Sequence, residues 1–522
     1  MTRDASVRRA GDGAGQDAWG RLNPRLILVN LSVMAAPVAM FGATSLLTGG
    51  ELNLQALITL LSFTITCLVI AGISIMRLIT TRYRVTEDRV ELHKGLLFRS
   101  QRSVPVDRIR SVDLTANPLH RIFGLTSLKV GTGEQGGSEA GGLSLDGLSV
   151  RDATALSRRL TELRQARRGP ASAGADADAA IAELDWAWLR YAPLTVWGVG
   201  GVFIAVASTY RTLHEMKINP LELGIVKDLT DRFGSVPLWF GLLVTLAVIV
   251  VIGVIGSTVT FIEGWGGYRL DRAEAGMLRI RRGLLITRSV SIEEQRLRGT
   301  EVAEPLLLRW AGGARLKAVA SGLGDADENS SRSRLTPPVP LALSGRIAAD
   351  VLGEAVSPTA EAVLVPHPRA ALRRRLNRAL MYAALVAALF IGFGLWLTPV
   401  LVHTGWITGV ALLAVGAAFA FDAYRSLGHA VHGRYLVARS GTFTRRTVAL
   451  QRDGIIGWSI TRSYFQRRAG LLTLGAATAA GNGVYKVRDV SESEGLAFAE
   501  EAVPGLLAPF VEQRRRHATG SR

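Results

Sequence analysis

One stretch of sequence is written three times along this chain. The first copy runs Tyr83-Arg-Val-Thr-Glu-Asp-Arg-Val-Glu-Leu-His-Lys-Gly95-Leu-Leu-Phe. The second runs Tyr268-Arg-Leu-Asp-Arg and then Leu278-Arg-Ile-Arg-Arg-Gly283-Leu-Leu-Ile. The third is worn and reads Tyr435-Leu-Val-Ala-Arg-Ser-Gly441-Thr-Phe. Two long apolar runs stand before each copy. A repeated unit of this kind limits the fold to repetition of one supersecondary arrangement. Here that arrangement is a membrane hairpin followed by a β-rich module.

The apolar runs are Leu26–Leu47, Ala56–Ile75, Ala192–Tyr210, Val236–Ile262, Ala379–Leu401 and Trp406–Phe421, and none contains Asp, Glu, Lys or Arg. A bilayer core takes about 20 apolar residues to span. All but Trp406–Phe421 approach that length, and that run reaches it only with the stretch from Gly405 to Tyr424. Backbone in lipid must satisfy its own hydrogen bonds, so each run is expected to be a helix. The formal net charge of +18 fits either nucleic acid or an anionic membrane surface. The apolar runs select the membrane and set nucleic acid aside. The single cysteine, Cys67, lies within the second run, which leaves neither an intrachain disulfide nor a cysteine metal cluster.

Positive residues flank one side of the spans. Arg21, Arg25, Arg77, Arg82, Arg84, Arg190, Arg269, Arg272, Arg369, Arg373, Arg374, Arg375, Arg378, Arg425 and Arg434 all fall there. The opposite loops are poor in charge (Thr48–Gln55, Thr398–Gly405) or balanced (Arg211–Ser235). By the positive-inside rule both termini and all modules are expected on the cytoplasmic side of the membrane. Trp186, Trp188, Trp239, Trp265, Trp396 and Trp406 lie near span ends, where an amphipathic ring suits the headgroup layer.

Within a module, short alternating segments such as Ser103–Val106 and Ser111–Thr115 are punctuated by Gly, Asn and Pro. That pattern predicts half-buried antiparallel strands. Val150–Arg164 then carries Leu156, Leu160 and Leu163 at helical spacing. Each module is expected to be α+β, strands closed by one C-terminal helix.

Val104-Pro-Val-Asp-Arg-Ile-Arg-Ser-Val-Asp-Leu followed by Asn117-Pro-Leu-His-Arg-Ile-Phe-Gly-Leu resembles the bacterial pleckstrin-homology module of YdbS/YdbT-like multi-pass membrane proteins. The likeness is strong in the first copy, fair in the second and weak in the third, where Ser463 stands in place of the turn proline. It implies about seven antiparallel strands with a C-terminal helix, and no enzyme. The expected fold is thus six transmembrane helices in three hairpins, each followed by a cytoplasmic PH-like module. The segments are a disordered tail (1–20), hairpin 1 (21–80), module 1 (81–168), a linker (169–183), hairpin 2 (184–264), module 2 (265–356), a linker (357–375), hairpin 3 (376–428), module 3 (429–513) and a basic tail (514–522).

No catalytic set, cofactor or metal is expected. Gly131-Thr-Gly133-Glu-Gln-Gly136 follows a strand but is followed by more glycine rather than the helix that a dinucleotide site needs, so it reads as a hairpin. His429 and His432 have helical metal-ligand spacing but no third ligand, and read as a juxtamembrane surface pair. The candidate contacts for anionic phospholipid or protein partners are Lys94, Arg99, Arg102, Arg108, Arg110, Arg121 and Lys129 in module 1. In module 2 they are Arg281, Arg282, Arg288, Arg296 and Arg298, with Arg309 beside them. Near an anionic leaflet each is worth about 1 kcal/mol. The expected function is a non-enzymatic membrane scaffold, possible in homo- or hetero-oligomers with related PH-like proteins and in envelope maintenance. A transport component built from the six-helix bundle is the alternative, with Ser62, Thr64, Thr66 and Ser74 as its polar seam.

Overall fold

The computed structural model describes residues 19–32, 38–39, 54–95, 100–109, 111–116, 118–131, 142–168, 180–194, 211, 238–273, 276–322 and 331–507. It divides into two compact units. One comprises Met1–Leu184, Glu263–Gln295 and Gly322–Arg332; the other comprises Asp185–Ile262, Arg296–Ser321 and Ser333–Arg522.

The first copy opens with β1 (Gly20–Arg21), α1 (Leu26–Ser32) and α2 (Leu54–Thr80). Strands β2 (Arg82–Val85), β3 (Arg89–Lys94) and β4 (Ser100–Pro105) follow, then β5 (Ser111–Ala116), β6 (Leu125–Gly131), β7 (Gly142–Ser149) and the closing helix α3 (Val150–Arg168). The second copy has β8 (Ala180–Glu183), α4 (Leu238–Trp265), β9 (Arg269–Ala273), β10 (Met277–Arg282) and β11 (Thr287–Glu293). It continues with β12 (Leu297–Pro305), β13 (Gly313–Ala320), β14 (Val339–Pro340) and α5 (Leu341–Leu352). The third has α6 (Arg369–Trp396), α7 (Pro399–Arg425), β15 (Gly428–His432), β16 (Tyr435–Ser440) and β17 (Thr444–Gln451). Then come β18 (Ile455–Thr461), β19 (Leu471–Thr478), β20 (Val484–Ser491) and α8 (Glu492–Ala502). Among the described residues, the first and third copies each form six strands after the membrane helices, where about seven were expected.

Four helices among the described residues are long and apolar enough to cross a membrane: α2 over Leu61–Thr80, α4 over Ala247–Trp265, α6 and α7. The expected spans Leu26–Leu47 and Ala192–Tyr210 lie mostly outside the described residues. The visible start of the first differs from a lipid-facing span. Leu26 and Val29 are buried in the core of the first copy, alongside Val90, Leu92, Leu128 and Leu145. The short last run is extended into a helix of full length. Pro399 occupies its first turn, where a missing N–H costs nothing, so the expected outer loop Thr398–Gly405 shrinks to Leu397 and Thr398.

The sheets do not respect the copies. The first four strands of copy one form a sheet ordered β1-β2-β3-β4, but its last three continue into the next copy as β7-β6-β5-β11-β10-β9-β8. The last strands of copy two continue into copy three as β14-β13-β12-β17-β16-β15, and β18-β19-β20 stand at the end. Both junctions are antiparallel and share one register. Leu114 pairs with Ser289 and Val302 with Thr447. Counted from Ile109 and Leu297, which the repeat aligns, Leu114 and Val302 hold the same place.

The repeated glycine has a geometric cause. Gly283 and Gly441 turn the chain at φ 103° and 132°. A Cβ at either would stand 1.9 Å from the carbonyl oxygen of Ile286 or Thr444. Only a residue without a side chain allows so tight a return.

Candidate membrane-surface site

The glycine turn delivers an apolar hairpin tip to the end of a membrane helix. In the second copy Leu284 donates its N–H to the Glu263 carbonyl (2.9 Å), and Ile286 donates to Glu263 Oε1 (3.1 Å). Glu263 lies in the last turn of α4, and Leu284 and Leu285 remain half exposed. The guanidinium of Arg282 covers the ring of Trp265 at 4.6 Å and donates to the Ser331 carbonyl at 2.6 Å. Arg288, opposite Arg282 in the ladder, reaches Ser331 Oγ, and Arg121 of the first copy donates to the Leu284 carbonyl. The third copy repeats the tip: exposed Phe443 packs against Phe419 of α7 at 4.8 Å.

A second device joins strand to membrane helix. Asp146 on β7 accepts from Arg77 (2.6 Å), near the end of α2, and from Ser127 and Ser144. Burial pushes its carboxyl up, but the bonds from Ser127 and Arg77 outweigh this and hold it below the usual carboxylate range. Asp489 on β20 does the same in the third copy, accepting from Arg374 and Arg375 in the first turns of α6 and from Gln466 Nε2 (2.9 Å). The sequence reading missed both aspartates. Their only signal was a place shortly before the serine that caps the closing helix, Ser149 or Ser491.

Beside Asp489 lies a histidine pair. His367 Nδ1 is 3.2 Å from the Asp489 carbonyl, which can only accept, so that nitrogen carries the proton. Its Nε2 therefore accepts from His429 Nδ1 at 3.0 Å. His429 stands on β15, 3 % exposed, with its ring against Phe498. It is neither helical nor a surface ligand, which corrects the sequence expectation, and His432 faces Glu361 instead at 3.4 Å. Burial, then the neighbouring His367, lowers His429 from 6.5 to about 4; burial also lowers His367. Between those values the unfolded chain binds the proton and the folded one does not. Stability is therefore full above about pH 6.5 and declines as pH falls toward 4. Thermal unfolding of the full chain in micelles should show this slope, and His429→Gln should flatten it. An unchanged slope in that variant would assign the pH response elsewhere.

The predicted contact residues do not form one patch. Lys94 is turned inward, donating to the Ser144 carbonyl at 3.1 Å; burial and Arg77 lower its pKa. Arg108, Arg121, Lys129, Arg281 and Arg288 are exposed, Arg102, Arg296 and Arg298 half-buried, and Arg282 buried. Arg309 is spent on Asp422 of α7 at 2.7 Å. Arg99, the side chain of Arg110 and the glycine-rich segment 132–141 fall outside the described residues. Of the candidates, the structure gathers Arg121, Arg281, Arg282 and Arg288 around the β10–β11 tip. Ser74, from the expected polar seam, instead accepts from Asn30 of α1 at 2.8 Å.

Four apolar helices of membrane-spanning length, three of them leading into antiparallel β-modules, define a transmembrane protein. Residues 34–164 and 377–501 match the family described as Bacterial PH domain. The chain is also similar to the UPF0699 transmembrane protein YdbT of Bacillus subtilis (strain 168), 24 % identical over 431 residues that cover 79 % of this chain and 83 % of the relative. No solved structure matches. The resemblance read from the sequence is borne out.

Proposed function

We propose that this protein is a non-enzymatic scaffold of the bacterial cytoplasmic membrane. Its PH modules bind anionic phospholipid or protein partners at the inner leaflet, with both termini on that side. One observation carries this reading: the apolar tip Leu284-Leu285, held on the end of α4 and ringed by Arg121, Arg281 and Arg288. Leucines at headgroup depth gain from burial in the acyl boundary, and each arginine beside them gains about 1 kcal/mol from an anionic surface. The match to bacterial PH domains supports the reading, and the segment boundaries 81–168, 265–356 and 429–513 are proposed as the three modules.

The test uses the full chain in nanodiscs that mix phosphatidylcholine with phosphatidylglycerol. The wild type should enrich phosphatidylglycerol in its retained lipid shell. The pair Arg281→Glu and Arg288→Glu, both at exposed positions, should lower that preference by about tenfold. Equal retention by the two proteins would turn the reading toward protein partners.

A further inference from the structure

Two strands hold the same place in successive copies but have opposite surroundings. β12 follows the short turn Glu294–Arg296, and β18 follows the matching turn Arg452–Gly454. Both break register at a glycine, Leu297/Gly299 in one and Ile455/Gly457 in the other. β12 is covered on its second side by β17 of the next copy, and nearly all of its residues are buried. β18 has β19 on one side and, among the described residues, no strand on the other. Its Ile456 is 68 % exposed and its Ile460 42 %.

The glycines at this place differ in surroundings and in backbone, Gly299 lying at φ 159°. A Cβ on Gly299 would lie 1.9 Å from the Ala449 carbonyl of β17. A Cβ on Gly457 would meet nothing within 4 Å. Among the described residues, nothing fills beside β18 the place that the next copy fills beside β12.

An exposed strand edge is a template for pairing, and natural proteins blunt such edges with charge or proline. Ile455-Ile-Gly-Trp-Ser-Ile-Thr461 has neither. The strands that cover this place at the internal junctions, β11 and β17, are each the third strand after a membrane helix. In the first copy that position belongs to β4, the last strand of its sheet.

We infer that β18 accepts β4 of a second copy of this chain, in the register of the two internal junctions. Leu114 opposite Ser289 and Val302 opposite Thr447 then map onto Ile460 opposite Gln101. Pairing runs from Gly457 opposite Val104 to Thr461 opposite Ser100. The contact is heterologous, joining the tail of one chain to the head of the next, and it adds backbone hydrogen bonds to the apolar contacts of Ile456 and Ile460.

Cysteine cross-linking in native membranes tests this. Two differently tagged full-length chains, both with Cys67→Ser, carry Ile460→Cys and Gln101→Cys respectively. Paired strands bring such Cβ atoms within disulfide reach. Oxidation should join the two tags. Adding Ile456→Lys, at a position 68 % exposed in the folded chain, should reduce the product at least tenfold, because a charge on a strand edge opposes pairing. A chain carrying Leu114→Cys and Ser289→Cys, at the matching place inside one molecule, reports that the oxidant works. Absence of the joined product while that internal bond closes would overturn the inference. So would a product unaffected by Ile456→Lys, or one that links Ile460→Cys to itself.

Discussion

Replacing Asp489 with Asn should destabilise the third copy by about 3–5 kcal/mol, the usual cost of removing one partner from a buried ion pair. The Asp489 side chain is 3 % exposed, with Arg374 and Arg375 at 18 % and 10 %. Without the carboxylate, two guanidinium groups would be held out of water with no anion. The substitution isolates charge from backbone strain. Asp489 sits at φ 61°, a conformation that Asn adopts almost as readily. Asp146→Asn makes the comparison, because Arg77 is 40 % exposed and water can replace the lost partner. Its effect should stay near 1 kcal/mol. Thermal unfolding in detergent micelles would measure both. Equal, small losses would mean that Asp489 does not hold α6 to its module. Adding Arg374→Gln and Arg375→Gln to Asp489→Asn should recover part of the loss, since the stranded charges go with them.

Gly409→Leu should separate α6 from α7 and lower stability by about 3 kcal/mol, at the upper end for overpacking. The two helices meet along small residues. A Cβ at Gly409 would lie 2.7 Å from the Ala387 Cβ, at Gly405 2.9 Å from Ile391 Cγ1, and at Gly416 3.0 Å from the Ala379 Cβ. Helices in lipid gain no hydrophobic drive from meeting one another and depend on such close backbone approach. Gly392 of the same hairpin has nothing within 4 Å, so Gly392→Leu should be neutral. Denaturation by increasing mole fractions of sodium dodecyl sulfate, followed by circular dichroism, compares the two. Coincident midpoints for both variants would show that the glycines of α7 are not packing determinants.

The third copy shows how a sequence can hide a feature that its fold keeps. It lacks the Asn-Pro-Leu turn and looked the weakest match, yet 377–501 is one of the two matched segments. Its turn is rebuilt with other chemistry. Ser463 Oγ accepts from the Gln466 N–H, and Gln466 Oε1 accepts from the Ser463 N–H, a capping box that starts the same short helix. A proline and a reciprocal cap are different letters for one helix start. The histidines fail in the opposite direction. Their spacing suggested a helix, but the chain leaves α7 at Arg425 and returns as a strand, so His429 and His432 take unlike surroundings.

Local pattern by itself determined the repeat, the apolar helices, the alternation of the strands and the glycine at each hairpin turn. These depend on near neighbours, through side-chain periodicity and backbone sterics, and each copy writes them out again. Tertiary structure alone decided which strands pair. Backbone hydrogen bonds are the same for any sequence, so nothing within β5 or β12 states that its second partner lies in the next copy. The same holds for Asp146 and Asp489, ordinary polar letters until folding sets them against arginines 69 and about 115 residues away. Burial then turns those contacts into the joints between module and membrane helix.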